Sequence, residues 1–249
     1  MSDAHPPRFL VSAPLASGAD LDLPEQPARH VAVLRLREGD QVTLFCGDGG
    51  EYAAVLTQVA RKLVQVRIGA RIDVSRESPL RITLAQCISS GDRMDLTLQK
   101  ATELGVHAIV PLSSERSVVK LRDDRADRKH AHWQHVVAAA CEQCGRNTVP
   151  EVRAPTDMQG WLRSIGEVRS DGSLRLLLTP NASTSLSDNE KQLDVTLLIG
   201  PEGGLAEHEV AAAMRHSFQS IHLGPRVLRT ETAPIAAIAA LQVLWGDFA

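Results

Sequence analysis

The chain has 249 residues, 43% apolar and 23% charged, the balance of a globular protein with one large domain or two smaller ones. Seventeen glycines and 13 prolines exclude collagen-like and low-complexity classes, and three Trp, one Tyr and four Phe are too few for a base-stacking platform. A net charge of −3 argues against a generally basic nucleic-acid coat, although a local arginine cluster can still supply phosphate contacts.

The opening Met1-Ser2-Asp3-Ala4-His5-Pro6-Pro7 lacks the basic and apolar regions of a signal peptide, so a cytoplasmic protein is expected. Short β-like runs follow at 8–11, 30–36, 42–46, 51–59 and 63–68, separated by turn signals such as Cys46-Gly47-Asp48-Gly49-Gly50-Glu51. A small β-barrel is the natural way to bury so many short strands, and residues 1–74 are assigned to it. The polar stretch Ser75-Arg76-Glu77-Ser78-Pro79 reads as a linker, and a second domain is expected over 75–249.

From there β runs alternate with helical patterns, the signature of an α/β domain with a parallel sheet. Residues 81–88 and 108–112 read as strands. Met94, Leu98, Ala101 and Leu104 lie at helical spacing and end at Gly105; Trp133, Val136, Val137, Ala140, Cys141 and Cys144 form a second stripe closed by Gly145. The runs 174–178 and 195–199, mostly Leu, Ile and Val, read as strands buried on both faces. Val210, Ala213 and Met214 mark a helix, and 220–223 a last short strand. The run 233–245, interrupted only by Gln242, is too short for the ~20 residues of a membrane span. It is expected to be a helix buried in the core or in a subunit interface.

Cys141 and Cys144 form one C-E-Q-C pair without a second, which favours reduced thiols over zinc. His130, His132 and His135 sit among Arg128, Lys129 and Gln134 and read as a solvated helix face, so no metal is expected.

Two glycine-bearing turns follow buried strands: Gly200-Pro201-Glu202-Gly203-Gly204 and Gly224-Pro225-Arg226-Val227-Leu228-Arg229-Thr230-Glu231-Thr232. Loops at the carboxyl ends of parallel strands are where α/β proteins bind ligands, and glycine lets a ligand approach the backbone. Neither turn is a dinucleotide fingerprint or a P-loop. Read alone, they are a ligand site or plain tight turns.

The segments L-L-I-G-P-E-G-G-L and L-G-P-R-V-L-R-T-E-T resemble the SPOUT class of methyltransferases, more narrowly the bacterial enzymes that methylate N3 of a uridine in 16S ribosomal RNA. The likeness extends to Pro7-Arg8-Phe9, His30 with Val33-Leu34-Arg35, Lys100 with Glu103-Leu104-Gly105, Ser114-Glu115-Arg116-Ser117 and Glu142-Gln143-Cys144-Gly145-Arg146. It implies a PUA-like β-barrel that binds RNA, then a SPOUT-type parallel sheet tied in a trefoil knot, acting as a homodimer on 16S rRNA or the assembled small subunit. The implied cofactor is S-adenosylmethionine. Its site maps onto Leu178, Thr179, Pro180, Leu198, Ile199, Gly200, Pro201, Glu202, Gly203, Leu223, Gly224, Pro225, Arg226, Val227, Leu228 and Thr232, with Leu198, Leu223 and Leu228 as apolar walls.

A neutral uracil imide is a poor nucleophile, so a general base or a guanidinium facing the anion would help. Beside the matched motifs the acidic candidates are Glu103, Glu142, Glu202 and Glu231. Arg229 and Glu202 are expected nearest the reaction, with Arg8 as a further candidate. Arg8, Arg35, Arg116, Lys120, Arg146 and Arg226 are expected to contact RNA. Two alternatives stand beside this reading: a knotted RNA methyltransferase with another target atom, and a non-enzymatic RNA-binding or ribosome-assembly factor. One departure is visible, since Ala206 stands where Ser or Thr would complete a capping box with Glu209.

Overall fold

The computed structural model describes residues 6–117, 124–167 and 173–248. The chain divides into two compact units, one formed by residues 1–77 and 141–149, the other by 78–140 and 150–249.

The first unit holds β1 (Arg8–Leu10), β2 (Asp20–Asp22), α1 (Glu25–Val33), β3 (Gln41–Phe45), β4 (Glu51–Val59) and β5 (Val64–Ile72). The strands form one sheet in the order β1-β3-β4-β5-β2, with β1 parallel to β3 and the remaining pairs antiparallel. Alternating residues of β4 and β5, among them Leu56, Val66 and Ile68, join Phe9, Val31 and Leu44 in a core of their own. Two register shifts between β4 and β5 bend the sheet around it. The strand expected at 30–36 is a helix instead. Val31 is buried and Val33 is 76% exposed, whereas alternation would place both on one face.

A polar network ties the return segment into this unit. The Arg8 guanidinium pairs with Glu51, donates to Asn147 Oδ1 and stands 4.9 Å from the Phe45 ring centroid. The Leu10 amide donates to Glu142 Oε1 over 2.9 Å, and Arg76 donates to both Glu51 and the Gly145 carbonyl at 3.0 Å. Burial raises the pKa of Glu51, but hydrogen bonds from Arg76 and Arg8 outweigh it and hold the carboxyl below its ordinary value. Arg146 pairs with Glu77, and its side chain is 4% exposed. Arg8 and Arg146 were expected on RNA. In the structure both guanidiniums are paired with carboxylates of this unit, and freeing either would strand a buried charge. Motifs far apart in the chain, at 7–9, 30 and 142–146, thus meet in one structural cluster.

The second unit contains β6 (Arg81–Cys87), α2 (Asp92–Glu103), β7 (Ala108–Ser113), α3 (Asp124–Cys144, its last turn belonging to the first unit), β8 (Glu151–Val152), β9 (Thr156–Asp157), α4 (Met158–Ile165), β10 (Leu174–Leu178), β11 (Thr184–Ser185), β12 (Asp194–Ile199), α5 (Glu207–Arg215), β13 (Gln219–His222) and α6 (Thr232–Trp245). The strands run in the order β11-β13-β10-β12-β6-β7-β8, with β9 beside β7, and every pairing is parallel. Leu176, Leu177, Leu197 and Leu198 are fully buried, as strands covered on both faces require. One face packs α4 and α5 through Trp161, Leu162, Ala212 and Ala213. Met214, expected on the inner stripe of α5, is 48% exposed, while Glu209 is buried.

Glu209 explains how α5 starts without a serine or threonine. Ala206 has no side-chain acceptor, but the Glu209 carboxylate accepts the Ala206 amide at 2.9 Å and the Glu115 amide at 2.8 Å. Half of a capping box survives, and it anchors the segment after β7 as well.

Burial has pushed the thiols of Cys87 and Cys141 up to about 12, which keeps them protonated and unreactive. His130 contacts the Val152 carbonyl and His132 pairs with Asp95. Among the described residues no group of His, Cys, Asp and Glu could hold a metal ion, and no helix is long and apolar enough to cross a membrane.

Gln242, the polar break in α6, is wholly buried; its Nε2 donates to the Leu104 carbonyl at 2.8 Å, and its Oε1 accepts from Ser78 Oγ at 2.7 Å. Replacing it with leucine removes both bonds and takes the side-chain donor from the half-buried Leu104 carbonyl, while Ser78 Oγ keeps the Leu80 amide. Gln242→Leu is therefore expected to destabilise the protein by about 1–3 kcal/mol, read as a lower midpoint in urea at unchanged slope. An unchanged midpoint would show that the side chain only fills space.

Candidate ligand cleft at the strand ends

Parallel register lines up the strand ends. Leu178 of β10 is level with Ile199 of β12 and Ile221 of β13, and Ile199 is level with Gln86 of β6. The segments that follow, at 179–181, 200–205, 223–231 and 90–93, therefore leave the sheet side by side. The loops after β10, β12 and β13, together with Arg93, enclose a cleft of about 780 Å³, within the usual size of small-molecule sites.

Two hydrogen bonds stitch the loops together. Thr230 Oγ1 donates to the Gly200 carbonyl at 2.8 Å and accepts from the buried Gln86 Nε2 at 3.3 Å. Glycine has two distinct uses here. At Gly203 a Cβ would stand 3.3 Å from Arg116 Cβ, so the constraint is close approach; the left-handed backbone falls one residue on, at Gly204, where φ is +67°.

Of the sequence-predicted residues, Leu178, Thr179, Pro180, Ile199, Gly200, Pro201, Glu202, Gly203, Leu223, Gly224, Arg226, Val227 and Leu228 line the cleft, as does Arg229. Three do not. Leu198 is fully buried among Ala85, Cys87, Leu112 and Phe218, because strand alternation turns it into the core and leaves Ile199 at the rim. Pro225 and Thr232 are exposed outside the lining. Arg35 is exposed on the first unit, and Arg116 is exposed beside the cleft, donating to the Gly203 carbonyl at 3.2 Å. Lys120 lies outside the described residues. Glu142 belongs to the first unit, where burial raises its pKa, and Glu103 pairs with Lys100.

The charges of the cleft differ in how they are held. Glu202 Oε1 accepts from the Ser90 amide, Ser90 Oγ and Arg93 Nη1, each at 3.0 Å. Partial burial pushes its pKa up, but these bonds outweigh it and hold the carboxyl below the ordinary value. The same bonds hold the Glu202 carboxylate to the turn after β6. Arg226 and Arg229 are exposed, and their side chains have no hydrogen-bonding or ion-pair partner among the described residues. Arg93, Asn181, His222 and Thr230 were missed. Arg93 was findable, since it follows the buried strand 81–88 just as the two glycine loops follow theirs.

The profile of the RNA methyltransferase domain family matches residues 76–242, and that of the RNA methyltransferase PUA domain matches residues 23–69. The chain belongs to the RNA methyltransferase family. It is 34% identical to the ribosomal RNA small subunit methyltransferase E of Buchnera aphidicola (from Schizaphis graminum) over 86% of each chain. With the enzyme of that name from Bacillus subtilis it shares 34% identity, covering 90% of this chain and 91% of the relative. Among solved structures, the ribosomal RNA small subunit methyltransferase E of Neisseria gonorrhoeae, bound to S-adenosyl methionine, superposes with a TM-score of 0.91 at 44% identity, over 98% of this chain and 100% of that one. A Legionella pneumophila protein solved with bound SAM gives a TM-score of 0.93 at 42% identity with the same coverage. The family thus includes close relatives solved with a methyl donor bound.

Proposed function

We propose that this chain transfers the methyl group of S-adenosylmethionine to N3 of a uridine in small-subunit ribosomal RNA, in the cytoplasm. The observation that carries the reading is the cleft at the ends of β10, β12 and β13, in a fold shared with two relatives solved with that donor. The cleft suits the donor on its own terms. It has the volume for a nucleoside-sized ligand, glycine backbone for close approach, and apolar walls at Ile199, Leu223 and Leu228. A purely RNA-binding role would leave the cleft and its charged rim without a use.

When bound, S-adenosylmethionine supplies an electrophilic methyl group on a sulfonium, so in-line transfer needs positioning and no metal. The chain's task is to fix both reactants while the imide gives its N3 proton to water and S-adenosylhomocysteine departs as a neutral thioether. Glu202 is already committed to Ser90 and Arg93, so it shapes the loop. Arg229, exposed in the cleft without a partner among the described residues, is placed at the uracil carbonyls, where its planar fork stabilises the anion spread over O2 and O4. Arg226 and Arg116, both exposed, are assigned to RNA phosphate.

The functional unit is proposed to be a homodimer. Val243, Leu244 and Phe248, at and just beyond the end of α6, are 56%, 46% and 49% exposed, an apolar outer face that a second copy would cover. Light scattering is expected to give twice the 27.0 kDa chain mass at micromolar concentration; a stable 27.0 kDa species refutes the dimer.

Nucleosides from small-subunit RNA treated with the protein and S-adenosylmethionine should gain 3-methyluridine by mass spectrometry. Methyl groups on ribose or guanine, or none at all, would overturn the assignment. Arg229→Lys keeps the charge but loses the fork, and should lower the single-turnover rate at saturating RNA by roughly 10²–10³ with donor affinity unchanged. A near-normal rate would remove Arg229 from the chemistry.

A further inference from the structure

We propose that Arg93 is a positioning residue for donor binding, holding the loops after β12 and β13 together through the carboxylates of Glu202 and Glu231. The inference rests on the methyl-donor reading of the cleft and adds a fourth wall to its three loops, built from the turn between β6 and α2.

The geometry is specific. Arg93 lies in the first turn of α2 and lines the cleft. Its Nη1 meets Glu202 Oε1 at 3.0 Å, and its Nε stands 3.9 Å from Glu231 Oε1. Glu202 belongs to the loop after β12, and Glu231 is the residue immediately before α6, at the end of the loop after β13. One guanidinium therefore bridges two segments separated by 29 positions in the chain. Both carboxylates are mostly shielded, with side chains 22% and 14% exposed, so an unpaired charge at either would be costly.

The turn is built for this arrangement. Gly91 has φ +48° and ψ −129°, a conformation reserved for glycine. It folds the chain so that the Ser90 amide, Ser90 Oγ and Arg93 Nη1 converge on one oxygen of Glu202. The three groups carry one positive and two negative charges. The remaining negative charge suits a cationic donor, while the bridge stops the two carboxylates from repelling the loops apart.

Calorimetry of S-adenosylmethionine binding to the full-length protein tests this. Arg93→Gln, which keeps the aliphatic stem, is expected to weaken binding about five- to tenfold, the scale of partly exposed charged hydrogen bonds. Arg93→Lys restores affinity to within about threefold, because one ammonium keeps a positive charge between the two carboxylates. In a cycle with Glu202→Gln, the double variant should bind no more weakly than the weaker single variant, since both act through one contact. Wild-type affinity in Arg93→Gln, failure of lysine to rescue, or additive losses in the cycle overturns the proposal while leaving the methyl-donor reading intact. No binding by the wild-type protein overturns that reading and this inference with it. Should the glutamine variant fail to fold, Glu202→Gln alone severs the same contact from the other side and should weaken binding about five- to tenfold; wild-type affinity in it overturns the proposal.

Discussion

Parallel pairing has one consequence that an antiparallel sheet lacks: every strand delivers its following loop to the same edge. In the second unit β13, β10, β12 and β6 are neighbours in that order, and they end within one residue of the same level. Segments beginning at residues 88, 179, 200 and 223 thereby become neighbours, although more than 130 positions separate the first from the last. Slipping one strand by a single residue would turn its inner side chains outward and break the line of strand ends. The buried Leu176, Leu177, Leu197 and Leu198 resist that slip, so the hydrophobic core holds the geometry of the cleft.

The polar parts of the cleft divide by how they are satisfied. Its carboxylates are engaged with donors from the protein, and Thr230 joins two loops through a carbonyl and an amide. Arg226 and Arg229 carry positive charge on exposed side chains with no partner among the described residues. Fixed anions and uncommitted cations leave the exposed charge of the cleft positive at Arg226 and Arg229, which is what the proposed RNA substrate would need. The overall charge of −3 gave no hint of this, because it averages over surfaces that face different ways.

Much of the second unit was legible because strands covered on both faces are dominated by Val, Ile and Leu, as in the runs 174–178 and 195–199, although Arg175 is buried inside the first of them and donates to the carbonyls of Ile165, Gly166 and His216. The first unit was harder. Val31 and Val33 suggest alternation, yet the segment is a helix with one of them in the core and the other in water. At the cleft, the glycine turns announced themselves by composition, whereas Arg93 follows a turn with a single glycine and was passed over. Leu198 and Ile199 show the limit of composition, since adjacent apolar residues divide between core and rim by strand parity alone. Arg8 and Arg146 show another limit. Resemblance marks a residue as important without saying whether its charge faces RNA or another side chain.

The discontinuous first unit has a consequence for how the molecule is made. Arg8 reaches a partner 139 residues ahead in the chain, and Leu10 one 132 residues ahead. Closing a loop of that length costs entropy that local contacts cannot offset in advance. On the ribosome, β1 to β5 emerge early, but the Arg8–Glu51 pair lacks its Asn147 ceiling until the segment 141–149 has left the exit tunnel. The unit that begins the chain is thus completed only after more than half of the chain has been made, and a nascent chain stalled before residue 141 would leave a charged seam half assembled.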